Sequence, residues 1–334
     1  MKISPVEELF TVMDQSALIL QEELSCTYLE AIAETGENLF HGSILQSELN
    51  ELTKKKLAKL YQQIQLSKYQ NEELRKAYQL VILKGMKQNV QANHQMTPDS
   101  VGMLVGYLVN RFIENSTFTI LDPAVGTGNL LTTILNQLSG KTVDAVGVDI
   151  DDLLIKLAYV NANLQKQTIE LFNQDSLEPL YVDPVDAVVC DLPIGHYPND
   201  VRVSDYQMRI EKGQTYAQHL FIEQSTRYVK AGGYLFFVIP NGLFESEQAT
   251  KLHEYIKEHL IVQGIIQLPE SMFKSKQIAK SIFILQKKGE GILPPKQALL
   301  VQLPTLSNSE AMSKILEKIE EWFGENKRNL SKNN

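Results

Sequence analysis

The sequence predicts an α/β fold, namely a doubly wound, mostly parallel, seven-stranded Rossmann-like sheet with helices on both faces, preceded by a small all-helical N-terminal domain. Three features of the chain support this prediction. From residue 117 onward, short apolar runs alternate with stretches of helical periodicity. The first of these runs leads through a glycine loop into a helix, which is how a doubly wound sheet begins. Residues 1–92, in contrast, show helical periodicity and almost no strand pattern.

The composition is that of an ordinary globular protein, with 43% hydrophobic and 22% charged residues in 334. The formal net charge is −8 and the isoelectric point is near 5.4. Lys and Arg contacts to phosphates supply most non-specific DNA affinity. An acidic chain is therefore a poor DNA binder on its own and needs a local basic face or a basic partner.

The cysteines and histidines bear on location and metal binding. Cys26 and Cys190 lie far apart, the second inside a predicted buried strand, so we expect reduced thiols and a cytoplasmic protein. No apolar run approaches the ~20 residues of a membrane span, and the N-terminus lacks a secretory-signal pattern. The six histidines show no ligand spacing, so no metal site is predicted.

The chain is divided by these patterns into a helical N-terminal domain, an α/β domain, and a C-terminal helix with a polar tail. Their predicted bounds are 1–92, 93–303 and 304–334. Amphipathic helical stretches and one loop are predicted in the N-terminal domain, at 6–33, 45–64 and 74–90, with the loop at 36–42. We expect this domain to contact a partner or substrate. Thr97 then opens a further helix as a good N-cap, with Pro98 suited to the first helical position.

The stretch TFTILDPAVGTGNLL at 117–131 predicts a buried strand, a tight turn and a helix. The strand ends at Asp122, and Gly126 and Gly128 allow a close backbone approach to a ligand. A dinucleotide fingerprint needs Gly or Ala where this chain has Leu131, and no Lys-Ser/Thr pair follows to make a P-loop. A tight structural turn is the alternative interpretation.

Two further strands also end in acidic residues. Asp149 closes the strand at 143–149 and lies 21 positions after Gly128, the distance at which a carboxylate reaches ribose hydroxyls in a βαβ nucleotide site. Asp151 is expected to be the N-cap of the next helix. Asp175 follows the strand at 168–172, where an Asx-turn is the alternative role.

The fourth strand, at 186–190, opens into Asp191-Leu192-Pro193-Ile194-Gly195-His196-Tyr197. A carboxylate and a backbone carbonyl beside a proline can accept the N–H groups of a planar amine and stabilise the positive charge that the amine gains on alkylation. A plain turn residue is the alternative role for Asp191.

The rest of the chain continues the α/β pattern. A polar loop at 199–214 is expected to cover a substrate. The remaining predicted elements are a helix at 216–229, a turn at 231–233, strands at 234–239, 261–268 and 281–286, a helix ending at 259, a strand-like run at 298–303, and a helix at 309–323 before a frayed tail at 324–334.

Taken together, these motifs resemble those of class I S-adenosylmethionine (SAM) methyltransferases. Asp122-x-x-x-Gly126-x-Gly128 resembles motif I, and the segments VIPNGLF and IIQLPESMFKSKQIAKSIFILQKK are similar to the N6-adenine-specific DNA methylase family, most nearly the methylation subunits of type I restriction-modification systems. The Thr97 helix start resembles motif X, and Asp191 opens the equivalent of motif IV. In motif IV this chain has Leu192 and Ile194 where the family has proline and an aromatic residue.

The resemblance implies SAM as cofactor and S-adenosylhomocysteine as product. Asp122 would face the cationic amino-acid end, Asp149 the ribose, and Asp175 the exocyclic amine of the adenine. The implied cofactor contacts are Thr97, Asp122, Ala124, Gly126, Gly128, Asn129, Asp149, Ile150, Asp175, Ser176 and Asp191. The implied catalytic residues are Asp191, Pro193 and Tyr197, the last supplying a stacking face for an extruded base.

The resemblance further implies methyl transfer to a planar exocyclic amine, most simply adenine in DNA. It implies DNA as the substrate and a possible DNA-recognition partner subunit, while the lack of a long apolar run predicts no membrane partner. Two alternatives remain open at this point: an RNA base or a protein glutamine as the methyl acceptor, and a SAM-binding interaction protein without turnover.

Overall fold

The computed structural model of the protein describes residues 3–88, 96–199, 201–211 and 213–330. The predicted boundary between residues 92 and 93, and the last four residues of the predicted tail, lie outside these ranges. The helices are α1 (Pro5–Leu24), α2 (Tyr28–His41), α3 (Glu51–Tyr61), α4 (Asn71–Gln88), α5 (Asp99–Phe112), α6 (Asn129–Gln137), α7 (Asp152–Leu164), α8 (Ala217–Tyr228), α9 (Ala249–His259) and α10 (Ser309–Leu330). The strands are β1 (Thr117–Asp122), β2 (Thr142–Asp149), β3 (Ile169–Asn173), β4 (Val185–Asp191), β5 (Val229–Pro240), β6 (Leu260–Gln267), β7 (Lys280–Lys287) and β8 (Leu299–Gln302).

The strands form one sheet in the order β3-β2-β1-β4-β5-β7-β6-β8. Strand β7 runs antiparallel to β5 and β6, whereas β2–β3, β1–β4, β4–β5 and β6–β8 are parallel. The predicted fold class, an α/β fold with a mostly parallel sheet and an N-terminal helical region, is confirmed. The sheet has eight strands rather than seven because the strand-like run near residue 300 pairs with β6.

The described chain divides into two compact units. Unit 1 comprises 1–106, 125–139 and 145–174, and unit 2 comprises 107–124, 140–144 and 175–334. These units follow the packing of the chain and do not test the predicted domain bounds, which stay a prediction. None of the described helices has both the length and the apolar character needed to cross a lipid bilayer.

In unit 1, the N-terminal helices share a hydrophobic core with α7. Buried side chains of α1, α2 and α4 pack with Leu157 and Val160 of α7. A Cβ atom on Gly36 would lie 2.1 Å from Cγ1 of Val160, so only glycine lets α2 approach α7 this closely. The predicted loop at 36–42 is therefore wrong for most of its length, because α2 continues to His41.

The predicted helix at 6–33 is two helices. Ser25 has a left-handed backbone with φ of 51°, and Thr27 forms a capping box with Glu30 that starts α2. The break has a local cause. The capping sequence satisfies the first N–H groups of a new helix, which favours starting α2 here over continuing α1.

In unit 2, two predicted boundaries change. The turn predicted at 231–233 is part of β5, which bulges against β4 so that glycine at 232 can adopt φ of +78° within the strand. The predicted fraying from residue 324 is wrong as far as residue 330, because α10 continues to Leu330. Asn326 is buried in α10 and accepts a hydrogen bond from the Lys296 backbone N–H at 3.0 Å.

Candidate active site

In unit 1, the glycine turn before α6 requires its glycines for two reasons. Gly126 and Gly128 have backbone φ angles of +54° and +75°, which residues other than glycine rarely adopt. At Gly128, a Cβ would also lie 3.3 Å from both Cα and Cβ of Ala158 in α7. The turn is held by the Val125 N–H, which donates to the Val148 carbonyl at 2.9 Å. The backbone shape of the turn is thus set by the helix and strand beside it.

The carboxylate of Asp149 is attached to this turn. Its Oδ2 accepts the Gly126 N–H at 2.8 Å, and its Oδ1 accepts the Asp151 N–H at 3.0 Å. Asp151 in turn caps α7 by accepting the N–H groups of Leu153 and Leu154, which confirms the predicted N-cap. Ile150, between the two acids, exposes its side chain. Asp149 is therefore oriented by backbone donors on both oxygens and lies beside the glycine turn.

Thr97 and Asn129 are joined in unit 1 through a buried network around Arg75. The Asn129 amide donates to the Thr97 carbonyl at 3.0 Å and accepts from Nη1 of Arg75 at 2.7 Å. The fully buried Arg75 side chain also binds both oxygens of Glu72 and of Asp99, at 2.6–3.0 Å. This network ties α4 to the first residues of α5 and α6.

The network also changes the pKa values of its carboxyl groups. Burial alone raises the pKa of Asp99, but the hydrogen bond and charge of Arg75 outweigh it and leave that pKa below its ordinary value. The pKa of Glu72 is lowered by the same balance. Sequence analysis missed Arg75. The sequence did contain a signal, because Glu72 lies three residues before Arg75. On a helix, this spacing more often marks an exposed ion pair.

In unit 2, Asp122 lies buried at the end of β1. Its Oδ1 accepts the Ala124 N–H at 3.1 Å, which shapes the chain as it leaves the strand. Ser176 is buried and donates its hydroxyl to the Pro123 carbonyl at 2.5 Å. The Ser176 side chain thus holds the backbone beside Asp122.

Asp175 has a structural bond on one oxygen and polar side chains on the other. Its Oδ1 accepts the Leu177 N–H at 3.0 Å, the Asx-turn considered as the alternative role. Its Oδ2 accepts from the Tyr197 hydroxyl at 2.6 Å and from Arg202 at 2.9 Å. Burial and the hydrogen bond to Asp175 raise the pKa of Tyr197 to about 12. The Tyr197 side chain is only 9% exposed and so offers little ring surface for stacking.

The Asp191 carboxylate forms an ion pair in unit 2 with Lys280, the first residue of β7. The Lys280 ammonium lies 2.6 Å from Oδ1, and the two side chains are only 13% (Asp191) and 14% (Lys280) exposed. The loop after Asp191 is pinned to the start of α8, because the Ala217 N–H donates to the Gly195 carbonyl at 2.8 Å. Pro193 lies between these attachments and is half-buried, and Ile194 is exposed.

Several predicted residues are in direct contact within a unit: Gly126 with Asp149, Thr97 with Asn129, and Asp175 with Tyr197. Lys280 and Arg202 are further polar partners that sequence analysis missed. Lys280 did carry a signal, since it is a charged residue directly before the apolar run SIFIL.

These features define a class of protein. The sheet order, the glycine turn after β1 and the acids that end β1, β2 and β4 belong to class I SAM-dependent methyltransferases. The donor set fits this cofactor, because carboxylates and backbone N–H groups suit a cationic nucleoside without phosphates, and the turn has no lysine to bind phosphate.

Comparison with known families agrees with this class. The model of the N-6 DNA methylase family matches residues 69–332, and that of the YtxK N-terminal helical domain matches residues 7–86. The chain therefore belongs to the N-6 DNA methylase family. It is a SAM-dependent methyltransferase.

Two relatives cover nearly the whole chain. The protein YtxK of Bacillus subtilis is 47% identical over 324 residues, which are 96% of this chain and 98% of that protein. A Listeria monocytogenes protein, solved as a candidate class I SAM-dependent methyltransferase, is 48% identical with a TM-score of 0.90 and covers 96% of this chain and 99% of that one.

More distant relatives belong to restriction systems. The type I restriction enzyme EcoEI methylase subunit of Escherichia coli is 22% identical over 82% of this chain, which spans 56% of that subunit. A type I restriction-modification methyltransferase subunit from Streptococcus thermophilus has a TM-score of 0.63 at 17% identity, covering 96% of this chain and 75% of that one, and shows the shared fold.

Proposed function

We propose that this enzyme transfers the methyl group of SAM to the exocyclic amine of adenine in DNA. Membership of the N-6 DNA methylase family supports this acceptor. The observation that carries the proposal is the Asp191 carboxylate at the carboxyl end of β4, held by Lys280 and followed by Pro193 in a pinned loop. An amine that is to be methylated at this position needs a fixed group that accepts a hydrogen bond from its N–H.

We propose that residues of unit 1 and residues of unit 2 contact the cofactor. In unit 1, the backbone of Gly126 and Gly128 approaches the cofactor, Asp149 accepts from the ribose hydroxyls, and Ile150 offers apolar surface to the adenine. Asn129 and Thr97 contribute through the backbone of two helix starts, which the Asn129 side chain joins by donating to the Thr97 carbonyl.

In unit 2, Asp122 faces the cationic amino-acid end of the cofactor and Asp175 accepts from its adenine amine. The Ala124 N–H donates to Asp122, and the Ser176 hydroxyl donates to the Pro123 carbonyl. These two hydrogen bonds shape the backbone around the two acids. Asp191 would lie next to the methyl group of bound SAM.

Bound SAM supplies an electrophilic methyl group on a sulfonium. The protein then has to position the acceptor, since no protein nucleophile is needed. Asp191 and the backbone carbonyl beside Pro193 would accept the two N–H groups of the amine, turn its lone pair toward the methyl group and stabilise the positive charge that the amine gains. As the N–C bond forms, the S–C bond breaks and S-adenosylhomocysteine leaves with its electron pair; the methylated amine then releases one proton to solvent. Tyr197 acts by linking this loop to Asp175, in place of the stacking role predicted for it.

The test is transfer of tritium from labelled SAM to DNA that lacks prior methylation. Asp191→Ala is expected to lower kcat by about 100- to 1,000-fold or more, the range for losing one transition-state contact. Affinity for SAM, measured by calorimetry, should change less than threefold. Asp186→Ala, at the other end of β4, is the matched control and should keep wild-type turnover. Wild-type turnover by Asp191→Ala would remove Asp191 from the reaction.

A second acceptor is favoured by one observation: Ile194 presents an exposed aliphatic side chain where the family has an aromatic ring. A protein glutamine amide, or an RNA base held without ring stacking, would suit this surface. The same labelling, applied to DNA, RNA and protein fractions of one lysate, separates the acceptors. Label in RNA or protein alone would replace DNA as the substrate.

We also propose that DNA recognition needs a partner subunit in the cytoplasm. The net charge of −8 disfavours DNA binding by this chain alone, and relatives with this fold include subunits of type I restriction-modification systems. Co-purification from the host, followed by DNA-binding measurements with and without the co-purified chain, tests the partner. Tight DNA binding by the isolated chain at physiological salt would argue against it.

A further inference from the structure

We propose that Lys280 is a positioning residue for methyl transfer: its ammonium holds the Asp191 carboxylate in the orientation that receives the acceptor amine. This inference rests on the proposed function, because it requires Asp191 to bind the amine. It adds a residue from β7 to a site that sequence motifs place only on the strands before it.

The position of Lys280 is set by the register of three neighbouring strands. Asp191 on β4 pairs with Val238 on β5, and Pro240 on β5 pairs with Lys280 on β7. The Leu192 N–H donates to the Val238 carbonyl at 3.1 Å, so the backbone after Asp191 follows β5. The ends of β4 and β7 are thereby brought to opposite sides of the same end of β5.

The residues next to Lys280 are also fixed. The Asn241 N–H donates to the Ala279 carbonyl at 2.9 Å, and the Ser281 hydroxyl donates to Oδ1 of Asn241 at 2.7 Å. Lys280 thus extends from a backbone anchored on both sides. A side chain anchored in this way can fix the carboxylate that it binds.

A second ion pair of β4, made with β5 instead of β7, differs from this one in its exposure. Asp186, at the start of β4, binds Lys230 of β5 at 2.7 Å, but the side chains are 31% and 48% exposed. Exposed pairs contribute little, because water screens them. The side chains of the Asp191–Lys280 pair are less than half as exposed as those of the Asp186–Lys230 pair. Removing one member of such a buried pair leaves the other charge uncompensated, which is costly.

The charge of Lys280 opposes the positive charge that an amine gains on methylation. If that opposition dominated, removing the ammonium would speed the reaction. If orientation of the carboxylate dominates, as proposed, removal slows it. A misplaced catalytic group of this kind costs about 100-fold in rate.

The experiment compares Lys280→Met, Lys280→Arg, Asp191→Ala, the double variant Asp191→Ala/Lys280→Met and the control Lys230→Met. The probes are tritiated SAM and the DNA, RNA and protein fractions of a lysate. SAM affinity and thermal unfolding are measured in parallel. We expect Lys280→Met to lower kcat about 100-fold with SAM affinity within twofold, Lys280→Arg to recover about tenfold of the loss, and Lys230→Met to match wild type.

The double variant separates positioning from a general structural role. If Lys280 acts through Asp191, Lys280→Met adds no further loss once Asp191 is replaced by Ala. A further loss of tenfold or more in the double variant, or a Lys280→Met variant as fast as wild type or faster, would overturn the proposal. Should Lys280→Met fail to fold, Lys280→Leu, which also lacks a hydrogen-bond donor, takes its place with the same expectations and the same overturning results.

Failure of the proposed function gives a different pattern. If wild type labels no fraction, or if Asp191→Ala keeps wild-type turnover, the proposed function and this inference both fall. If Asp191→Ala is inactive while Lys280→Met is fully active, this inference alone falls.

Discussion

Replacing Arg75 by Met should destabilise the protein strongly, because the guanidinium is fully buried and binds two carboxylates. Both oxygens of Glu72 and of Asp99 accept from it at 2.6–3.0 Å, and Asn129 accepts at 2.7 Å. Removing one member of a buried ionic group leaves uncompensated charge and costs about 3–5 kcal/mol. For 334 residues at roughly 2.1 cal/mol/K of unfolding entropy each, about 4 kcal/mol lowers the midpoint by about 6 °C.

The effect should depend on pH with a definite sign. The folded-state pKa values of Glu72 and Asp99 lie below their ordinary values. Their stabilisation is therefore present above the ordinary carboxyl pKa near 4 and is lost as pH falls through the lowered folded-state pKa. The difference between wild type and Arg75→Met should be full at pH 7 and shrink below about pH 4.

Thermal unfolding followed by circular dichroism at pH 7 and pH 3 measures both effects. Lys314→Met is the control, since its ion pair with Glu310 is largely exposed, and its midpoint should stay within about 1 °C of wild type. Arg75→Met combined with Glu72→Gln and Asp99→Asn should recover part of the loss, because it removes the uncompensated charges. A midpoint shift below 2 °C for Arg75→Met, or a shift that is the same at both pH values, would refute this reasoning.

Three further results are expected. Asp175→Ala should weaken SAM binding about 10- to 100-fold in calorimetry, the cost of losing a charge-assisted hydrogen bond, and unchanged affinity would assign Asp175 to its turn alone. Gly128→Ala should lower the unfolding midpoint more than Gly42→Ala, because both have positive φ but only Gly128 lies against α7; equal shifts would contradict the packing argument. Ile194→Tyr should lower the KM for adenine-containing DNA about tenfold if an extruded base is bound there, and no change would count against base stacking.

Local sequence rules were sufficient where the cause of a structure lies within a few residues. The cap at Asp151 and the positive φ values of Gly126 and Gly128 were predictable, because capping and backbone sterics act over one turn. The same rules failed at Gly36, where glycine usually marks a loop. There, the close approach of Val160 from a distant helix decides that glycine belongs inside α2.

The sequence by itself determined the α/β fold class, the glycine turn and the acids that follow the strands, because periodicity and turn chemistry are written in neighbouring residues. Only the tertiary structure decided which charged side chains meet. Arg75 and Asn129 are 54 residues apart, and Asp191 and Lys280 are 89 apart. Such pairs depend on how distant elements pack and on the order in which strands join the sheet, and no local pattern encodes that order.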